Sequence, residues 1–306
     1  MVLKQFIKKE SIMKNSNLFF GLTSVSDILT VSGLDFKASK TPLYSKELLH
    51  SDLQGITTND NRFLGIAGKN YTCVQNNEFF DFLNPLLNSK DIIIENAYQY
   101  KSKSILKLRT KEKTAINVND LVQHYIYASN DFSGKNSSEG MFYSIRLACT
   151  NGMKKSNKEC SFSIKHFNTY QEKLRQAIEL MSNFQLYAET LKNDISKMQE
   201  TKFNNDDFLA MVNSFLSIDS DKENLVSSNI LNKRKAIVEL YNTKEDLKAY
   251  NNTLFKGYSA ITDYYSNNAT IRNSSDNLIK ENALVFENSA NQLQKAYSFA
   301  MELTSN

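Results

Sequence analysis

Hydrophobic residues recur in alternating steps of three and four along one stretch in the second half of the chain. The stretch runs from Phe167 to Met198 without a missed step and spans more than four heptads. A repeat of this length is typical of a long helix that packs along most of its length. Ten residues form this seam: Phe167, Tyr170, Leu174, Ala177, Met181, Phe184, Ala188, Leu191, Ile195 and Met198.

Two kinds of packing would bury such a seam. One is an antiparallel helix pair inside a single subunit, and the other is a coil between subunits. The second kind would make the chain a homo-oligomer. Its candidate oligomerisation residues are the larger members of the seam, namely Phe167, Tyr170, Leu174, Met181, Phe184, Leu191, Ile195 and Met198.

The first half of the chain has a different pattern, because short runs rich in Ile, Val, Tyr and Phe lie between polar turns. Such runs predict strands. They cover residues 27–39, 62–75, 91–113, 121–129 and 140–151. Between the second and third runs, the segment NNEFFDFLNPLL predicts a short amphipathic helix, which is capped by Asn76 or Asn77 and disturbed near its end by Pro85.

Strands followed by helices predict an α+β fold. We expect an antiparallel, β-rich N-terminal domain with a short helix at residues 27–160. A helical C-terminal half that contains the long heptad-patterned helix should follow at residues 161–306. Residues 1–26 are expected to form a partly flexible leader. The 306 residues are enough for one large or two ordinary domains.

Composition and cysteine usage narrow the class of protein. No run approaches the roughly 20 apolar residues of a membrane span. Cys73, Cys149 and Cys160 have neither CxxC spacing nor an even count, so they predict no disulfide framework and no zinc site. We expect a cytoplasmic protein without a membrane partner.

The motifs of common catalytic sites are missing from the sequence. It has no P-loop and no GxGxxG segment, and His50, His124 and His166 are not spaced as metal ligands. Cys149 lies in an apolar strand and is expected to be a buried structural thiol. We therefore expect no cofactor, no metal ion and no catalysis. The remaining catalytic hypothesis is an unrecognised site centred on Arg146, Cys149, Asn151 and His166.

Cations recur with a period of two in KSKSILKLRTKEK, residues 101–113. In one extended strand they would form a single row, with about 7 Å between residues two apart. Such a row either follows a nucleic-acid backbone or keeps a solvated edge strand from pairing. If the strand breaks near Ser104, the row divides. Its members are Lys101, Lys103, Lys107, Arg109, Lys111 and Lys113.

Tyrosines follow the basic row in the next two predicted strands. Tyr125 and Tyr127 share one face of the first strand, and Tyr143 lies near Arg146 in the second. Tyrosines among cations suit the stacking of nucleic-acid bases, and they also suit ordinary packing within a sheet. These four residues complete the candidate nucleic-acid interface.

Five segments resemble, in sequence and order, a known family. They are SGLDFKASKTPLY, RFLGIAGKNYTCVQNNEFFDFL, YSIRLACTNGM, FSIKHF and KGYSAITDYYSNNAT. The family is that of the phage/plasmid-like proteins, catalogued as domain of unknown function nine-three-two. The most specific matches are Tyr71, Val74, Gln75, Asn76, Arg146, Cys149, Asn151 and His166. The chain departs from the family pattern in having no Trp and only a loose match in the loop NDFSGKNSSEG.

The resemblance implies a phage or mobile-element context but no activity. The order of strands, short helix, further strands and helical end is also similar to that of RecT and Red-beta type single-strand annealing proteins, which implies a recombinase without an ATPase motif. Our first hypothesis is therefore non-catalytic binding of single-stranded DNA in recombination or replication. The alternative is a virion-associated or host-interaction module that binds protein rather than DNA.

Overall fold

A computed structural model describes residues 18–45, 48–89, 91–155, 161–167, 169–182, 184–219, 225–269 and 277–305. Antiparallel strands dominate the first half of the chain and helices the second half, so the predicted α+β fold is confirmed. The strands are β1 Ala38–Ser45, β2 Leu48–Thr58, β3 Phe63–Gly68, β4 Ile92–Tyr100, β5 Lys103–Thr110, β6 Thr114–Asn117, β7 Asp120–Asp131, β8 Ser138–Arg146, β9 Asn151–Met153 and β10 Ser161–Ile164.

The helices lie mainly after residue 170. They are α1 Val25–Ser32, α2 Asn76–Phe80, α3 Asn84–Asn88, α4 Tyr170–Ser182, α5 Phe184–Glu200, α6 Asn205–Phe215, α7 Ser228–Thr243, α8 Leu254–Asp263, α9 Asn277–Phe286 and α10 Asn288–Leu303. In the described ranges, no helix combines the length and the apolar character needed to cross a membrane.

The chain forms two compact units that are interleaved along the sequence. The first unit consists of residues 1–111, 126–140 and 163–179. The second consists of residues 112–125, 141–162 and 180–306. β7 and β8 therefore have residues in both units, and the units do not coincide with the sequence ranges 27–160 and 161–306.

In the first unit, β1, β2 and β3 form an antiparallel sheet in that order. One face of this sheet contributes Ala38, Ile56 and Ala67 to the core. The same unit contains the antiparallel pair β4–β5. The helices α1 and α2 supply much of the remaining core, with Ile28, Leu29, Phe79 and Phe80 buried.

The segment predicted as a strand at residues 27–39 begins in the helix α1 and reaches the strand β1 only at Ala38, so that prediction is wrong for most of its length. α1 buries Val25, Ile28 and Leu29, which recur with helical spacing. The helix ends at Gly33, whose φ of 67° is left-handed and closes the last turn through its backbone N–H. Gly33 is thus a helix C-cap, where the sequence indicated a turn or bulge. The predicted helix at residues 76–87 is present as α2, a 3₁₀ turn and α3, with Pro85 in the first turn of α3.

In the second unit, β6 pairs with β7 and β8 pairs with β9, both antiparallel. The helix α8 is central to this unit, because every residue but Lys256 is buried. It packs against α5, α6, α7 and α10. A π-helical turn, Tyr264–Asn268, extends it and positions polar side chains beside β9.

The heptad seam occupies α4 and α5, and Asn183 between them lies outside the described residues. α4 begins at Tyr170, so Phe167 precedes the helix and is 51% exposed. Tyr170 is buried and Leu174 half-buried, whereas nothing is described of the side chains of Ala177 and Met181. On α5 the seam residues lie inside the fold of this chain, and these are Phe184, Leu191, Ile195 and Met198.

Candidate functional site

The basic stretch at residues 101–113 is not one strand. β4 and β5 form a hairpin whose turn is Lys101–Ser102, and Lys101 has a left-handed φ of 54°. β5 ends at Thr110, so Lys111 and Lys113 follow the strand. The row therefore divides into a turn residue, three strand residues and two residues beyond the strand. Lys113 also belongs to the second unit, whereas the other five cations belong to the first.

Two cations of the row share one carboxylate. Lys107 Nζ lies 2.8 Å from Glu95 Oε1, and Arg109 Nε lies 3.0 Å from Glu95 Oε2. The Lys107 side chain is only 13% exposed, and its Nζ lies 5.6 Å from the centre of the Tyr127 ring. Lys107 is thus a partly buried, paired cation. The exposed cations of the stretch are Lys101, Lys111 and Lys113.

The aromatic members of the predicted nucleic-acid interface lie in the core. Tyr125, Tyr127 and Tyr143 are buried, and Arg146 is 2% exposed. The cause is that β7 and β8 are covered on both faces, so the alternation that would present one ring face to solvent is absent. In this fold these side chains offer no stacking surface to a base.

A different surface of the first unit presents an aromatic ring and aliphatic side chains to solvent. In the register of β2 and β3, Leu53 is opposite Gly68, Gly55 is opposite Ile66, and Thr57 is opposite Phe63. Residues directly opposite share a face of the sheet. We define the open sheet face as the side that bears Leu53, Phe63 and Ile66, and all three are exposed.

The open sheet face is apolar and uncharged among the residues whose side chains are described. Its other members are Ser39, Thr41, Gly55, Thr57 and Gly68. Phe63 is the aromatic ring among these described members and is 59% exposed.

Lysines border the sheet that carries the open face. Lys40 lies on the edge strand β1, and Lys69 follows β3 directly; both are exposed. Lys40 Nζ donates to the Lys69 backbone carbonyl at 2.8 Å, and Lys69 Nζ lies 3.6 Å from Asp52 Oδ1. The two lysines line a surface cleft of about 440 Å³ together with Asn70, Tyr71, Thr72 and Cys73.

Sequence reasoning missed the open sheet face. Leu53 and Gly55, two residues apart in β2, were its signal in that strand, and apolar residues at this spacing ordinarily mark the core side of a strand. Here the core side carries Ile56 and Thr58 instead. The exposed side could not be told from the buried side without the register of the neighbouring strands.

In the second unit, Arg146 is the centre of a buried ionic network. Its Nε donates to Asp120 Oδ2 at 2.5 Å, and one terminal nitrogen donates to Asp246 Oδ2 at 2.7 Å. The other terminal nitrogen donates to the Asp246 backbone carbonyl at 3.1 Å. The Tyr250 hydroxyl donates to Asp120 Oδ2 at 2.8 Å. Burial and this carboxylate raise the pKa of Tyr250 to about 12, so the hydroxyl remains a donor at neutral pH.

Cys149 contacts the same guanidinium, which donates to its Sγ at 3.3 Å. Burial raises the pKa of the thiol to about 11, although the positive charge of Arg146 acts in the opposite direction. The thiol is therefore protonated at neutral pH, which is consistent with the expected structural role and not with an activated nucleophile. Asn151 is also buried, and its side chain donates to the Ser259 backbone carbonyl at 3.1 Å.

Asn267, in the π-helical turn, links Cys149 and Asn151 to the end of α8 in the second unit. Its side-chain nitrogen donates to the Cys149 carbonyl at 3.0 Å, to Asn151 Oδ1 at 3.1 Å and to Asp263 Oδ1 at 3.0 Å. Lys244 Nζ lies 2.9 Å from Asp263 Oδ2. Polar groups of residues 146–151 are thus held by side chains a hundred or more residues away in sequence.

His166, the fourth residue of the catalytic hypothesis, belongs to a polar network in the first unit. One ring nitrogen lies 2.6 Å from Ser138 Oγ, and the other lies 3.2 Å from the Thr72 carbonyl. Its ring stacks on Tyr71 with centres 4.9 Å apart. Burial lowers its pKa. The structure thus brings together Arg146, Cys149 and Asn151 in the second unit and assigns His166 to the first.

His124, in the second unit, is buried between two hydroxyl groups. Its Nδ1 lies 2.7 Å from Ser144 Oγ, and its Nε2 lies 2.7 Å from Thr114 Oγ1. Burial lowers its pKa to about 4, so the ring is neutral at pH 7. Among the residues that the structure describes, no three His, Cys, Asp or Glu side chains are grouped as metal ligands.

These features define an α+β protein of two interleaved units, with an open sheet face in one unit and a buried arginine network in the other. The sequence model of a family described as a domain of unknown function, DUF932, matches residues 63–286. The chain belongs to this family, as the resemblance in its motifs predicted. Neither the search of curated proteins nor the search of solved structures gave a match.

Proposed function

We propose that this chain is a non-catalytic protein that binds single-stranded DNA, and that the bases contact the open sheet face of the first unit. The observation that carries the proposal is the exposure of the Phe63 ring, beside Leu53 and Ile66, on one face of a three-stranded antiparallel sheet. Aromatic rings on an open sheet are the usual platform on which proteins stack the bases of single strands.

The distribution of charge supports this arrangement. Bases are uncharged and stack on apolar surfaces, whereas phosphates require cations at the border. The described members of the open sheet face are uncharged, and the exposed Lys40 and Lys69 belong to the strand β1 and to the end of β3 in the same sheet. The first unit carries 19 basic and 14 acidic residues, and the second carries 18 and 19. The basic excess of the protein thus belongs to the unit that has the open face.

The biological setting follows from the resemblance to phage/plasmid-like proteins. We place the protein in the cytoplasm of a cell that carries a phage or another mobile element, where it would hold single strands during recombination or replication. The similarity of organisation to single-strand annealing proteins supports annealing as the mode of action. Annealing needs no ATP and no metal, because its energy comes from base pairing between the two strands.

Fluorescence anisotropy with a labelled single-stranded oligonucleotide tests the proposal directly. Phe63→Ala should weaken binding about 5- to 100-fold, since a stacked base contributes roughly 1–3 kcal/mol. Phe20→Ala is the matched control, because Phe20 is an exposed ring of the same unit that lies outside the open sheet face. Equal binding by both variants and the unmodified chain would overturn the assignment of the face.

A second pair of variants separates the sheet border from the basic hairpin. Lys40→Glu with Lys69→Glu should lower affinity and reduce the salt dependence of binding. Lys101→Glu with Lys111→Glu makes the same change of charge at exposed positions of the hairpin. If only the hairpin pair weakens binding, the DNA follows the basic stretch and not the open sheet face.

A second candidate function is the docking of a protein on the same face. Leu53 and Ile66 favour it, because aliphatic side chains on an exposed patch are typical of protein interfaces. Sedimentation velocity of the full chain, with Leu53→Asp as the variant, tests a second copy as the partner. An oligomer that Leu53→Asp dissociates, together with no DNA binding at low salt, would establish this candidate in place of the first.

A further inference from the structure

A pocket of about 430 Å³ in the first unit is lined by the segment that precedes α1, by α3 and by the hairpin β4–β5. Its volume lies within the usual range of small-molecule sites. We call it the Ile93 pocket. It shares no described lining residue with the open sheet face, so its ligand is independent of the proposed binding of DNA. The apolar lining consists of Phe19, Phe20, Leu22, Leu87 and the three consecutive isoleucines at residues 92–94.

A tight turn exposes one aromatic ring of this lining. The Leu22 N–H donates to the Phe19 carbonyl at 3.2 Å, and Gly21 has a left-handed φ of 79°. Both features are typical of a type II turn, which needs such a φ at its third residue. The turn buries Phe19 and leaves Phe20 88% exposed at the pocket. An apolar ligand in the pocket would remove part of this exposed ring from water, which favours binding.

Positive charge exceeds negative charge at the pocket. Its charged lining residues are Glu95, Arg109 and Lys111. Glu95 pairs with Arg109 and also with Lys107, so three cations are grouped with one carboxylate. Two positive charges therefore remain in excess. Charges at a partly buried site are less screened than charges at the open surface, so this excess favours an anionic ligand.

Arg109 retains hydrogen-bond donors that a ligand can reach. Its Nε lies 3.0 Å from Glu95 Oε2, and one terminal nitrogen donates to the Thr110 carbonyl at 3.4 Å. A guanidinium has five N–H groups, so further donors remain on the terminal nitrogens. The side chain lines the pocket and is 34% exposed. In the register of the hairpin, Arg109 is opposite Ile93, which brings a charged and an apolar side chain together on one face.

We propose that the Ile93 pocket binds a small amphipathic carboxylate, such as a short fatty acid. The carboxylate accepts hydrogen bonds from Arg109 and pairs with the exposed Lys111, and the alkyl chain contacts Ile93, Leu87 and the Phe20 ring. Arginine binds carboxylates through strong, charge-assisted hydrogen bonds. Selectivity follows from these contacts: an alcohol of the same length has no charge, an alkylammonium ion is repelled, and acetate lacks the chain.

Isothermal titration calorimetry with the full chain tests this with four probes: n-hexanoate, n-hexanol, n-hexylammonium and acetate. We expect saturable binding of hexanoate that weakens at high salt and is at least about tenfold tighter than that of hexanol. Acetate should bind at least about tenfold more weakly than hexanoate, because each buried methylene group favours binding. Hexanoate that binds no more tightly than hexanol or hexylammonium, or that does not bind at millimolar concentrations, would overturn the proposal.

Two pairs of variants assign the binding to the pocket. Lys111→Gln should weaken hexanoate binding at least threefold without changing hexanol binding. Lys113→Gln, at an exposed position outside the lining, is its control and should change neither. Phe20→Ala should weaken the binding of both probes, and Phe63→Ala, which removes another exposed ring of the same unit, should not. Hexanoate binding that survives Lys111→Gln and Phe20→Ala unchanged would contradict the assignment.

The two ring variants also separate this proposal from the binding of DNA. Phe20→Ala should weaken hexanoate binding and leave single-stranded DNA binding unchanged, whereas Phe63→Ala should do the reverse. A chain that binds hexanoate but no DNA would support the Ile93 pocket alone. Loss of DNA binding in Phe20→Ala would contradict the independence of the two sites.

Discussion

The ring of Phe63 on β3 lies across Gly55 on β2, so that a Cβ added at Gly55 would be 3.4 Å from the ring edge and 3.0 Å from Thr41 Oγ1. The glycine leaves room for the edge of the ring beside the neighbouring strand. Phe63 is 59% exposed, and an exposed ring is what a stacked base requires.

Gly55→Ala should therefore have a small effect on both binding and folding. The added methyl would crowd Thr41 Oγ1 at 3.0 Å and touch the edge of the Phe63 ring at 3.4 Å. The ring should shift slightly, and single-stranded DNA binding should weaken by less than the roughly 5-fold of a lost stacked base. The free energy of unfolding should change by less than about 1 kcal/mol, because the reduced freedom of the unfolded chain offsets the tight contact. Anisotropy and urea denaturation measure the two effects. A loss of stability without a loss of binding would show that the ring does not contact DNA.

Reversing the charge of both Lys107 and Arg109 should destabilise the fold. Both cations contact Glu95, so the double change to Glu would place three carboxylates together. We expect the free energy of unfolding to fall by about 2 kcal/mol. This value is the sum of the contributions of two partly exposed ion pairs and of the new repulsion among the carboxylates. Urea denaturation measures it.

Glu95→Gln is the informative control for that experiment. It removes the same two ion pairs without adding negative charge, and it should cost about half as much stability. If the double reversal leaves the urea midpoint unchanged, the pairing of the hairpin cations contributes nothing to stability.

Arg146→Met should be among the most destabilising single changes in the second unit. It leaves Asp120 and Asp246 without their shared cation, and breaking a buried ion pair from one side costs about 3–5 kcal/mol. Arg146→Lys should restore little, because a single ammonium cannot reach acceptors that contact three different guanidinium nitrogens.

Combining Arg146→Met with Asp120→Asn tests this explanation, because it removes the cation and one of its buried anions together. The double variant should be more stable than Arg146→Met alone in urea denaturation. A double variant that is less stable by the sum of the single effects would mean that the two residues are not coupled.

The stability of the protein should fall in mild acid because of His124. Burial lowers its pKa from 6.5 to about 4, so the unfolded chain binds the proton more tightly than the folded chain does. The stabilising contribution is complete above about pH 6.5 and is lost as the pH falls towards 4. The loss for this residue is about 3 kcal/mol, from 1.36 kcal/mol per unit of pKa.

His124→Asn should flatten the pH dependence of the free energy of unfolding between pH 6.5 and 4. His50→Asn, at an exposed position, should leave it unchanged. His166 acts in the same direction, since burial also lowers its pKa, so some acid sensitivity should remain in the His124 variant. An unaltered pH profile in His124→Asn would show that this ring does not titrate on unfolding.

The periodicity of the sequence predicted the type of secondary structure better than it predicted the burial and contacts of the side chains. The change from strands to helices and the helix at Asn76 follow from local patterns, and the structure contains both. The segment that starts at Asp27 was predicted as a strand and begins as a helix. A short apolar run fits both the period of a strand and the period of a helix, and only Gly33 marks the end of the helix. Local pattern also could not show that the Lys101 turn divides the basic row.

The candidate sites depend on contacts that are distant in sequence. Glu95 neutralises two members of the basic row only because β4 and β5 pair in one register. Asp120 and Asp246 converge on Arg146 from 26 and 100 residues away. The sequence identified Arg146 and Cys149 as neighbours but gave no indication of their partners.

Between residues 111 and 180 the chain passes from one unit to the other five times. Neither unit is therefore a segment that a single gene fragment encodes, and no single truncation isolates one of them intact. A recombination event between related genes would have to exchange most of this span together to keep both units complete. The two units are therefore inherited together, although each has its own surface.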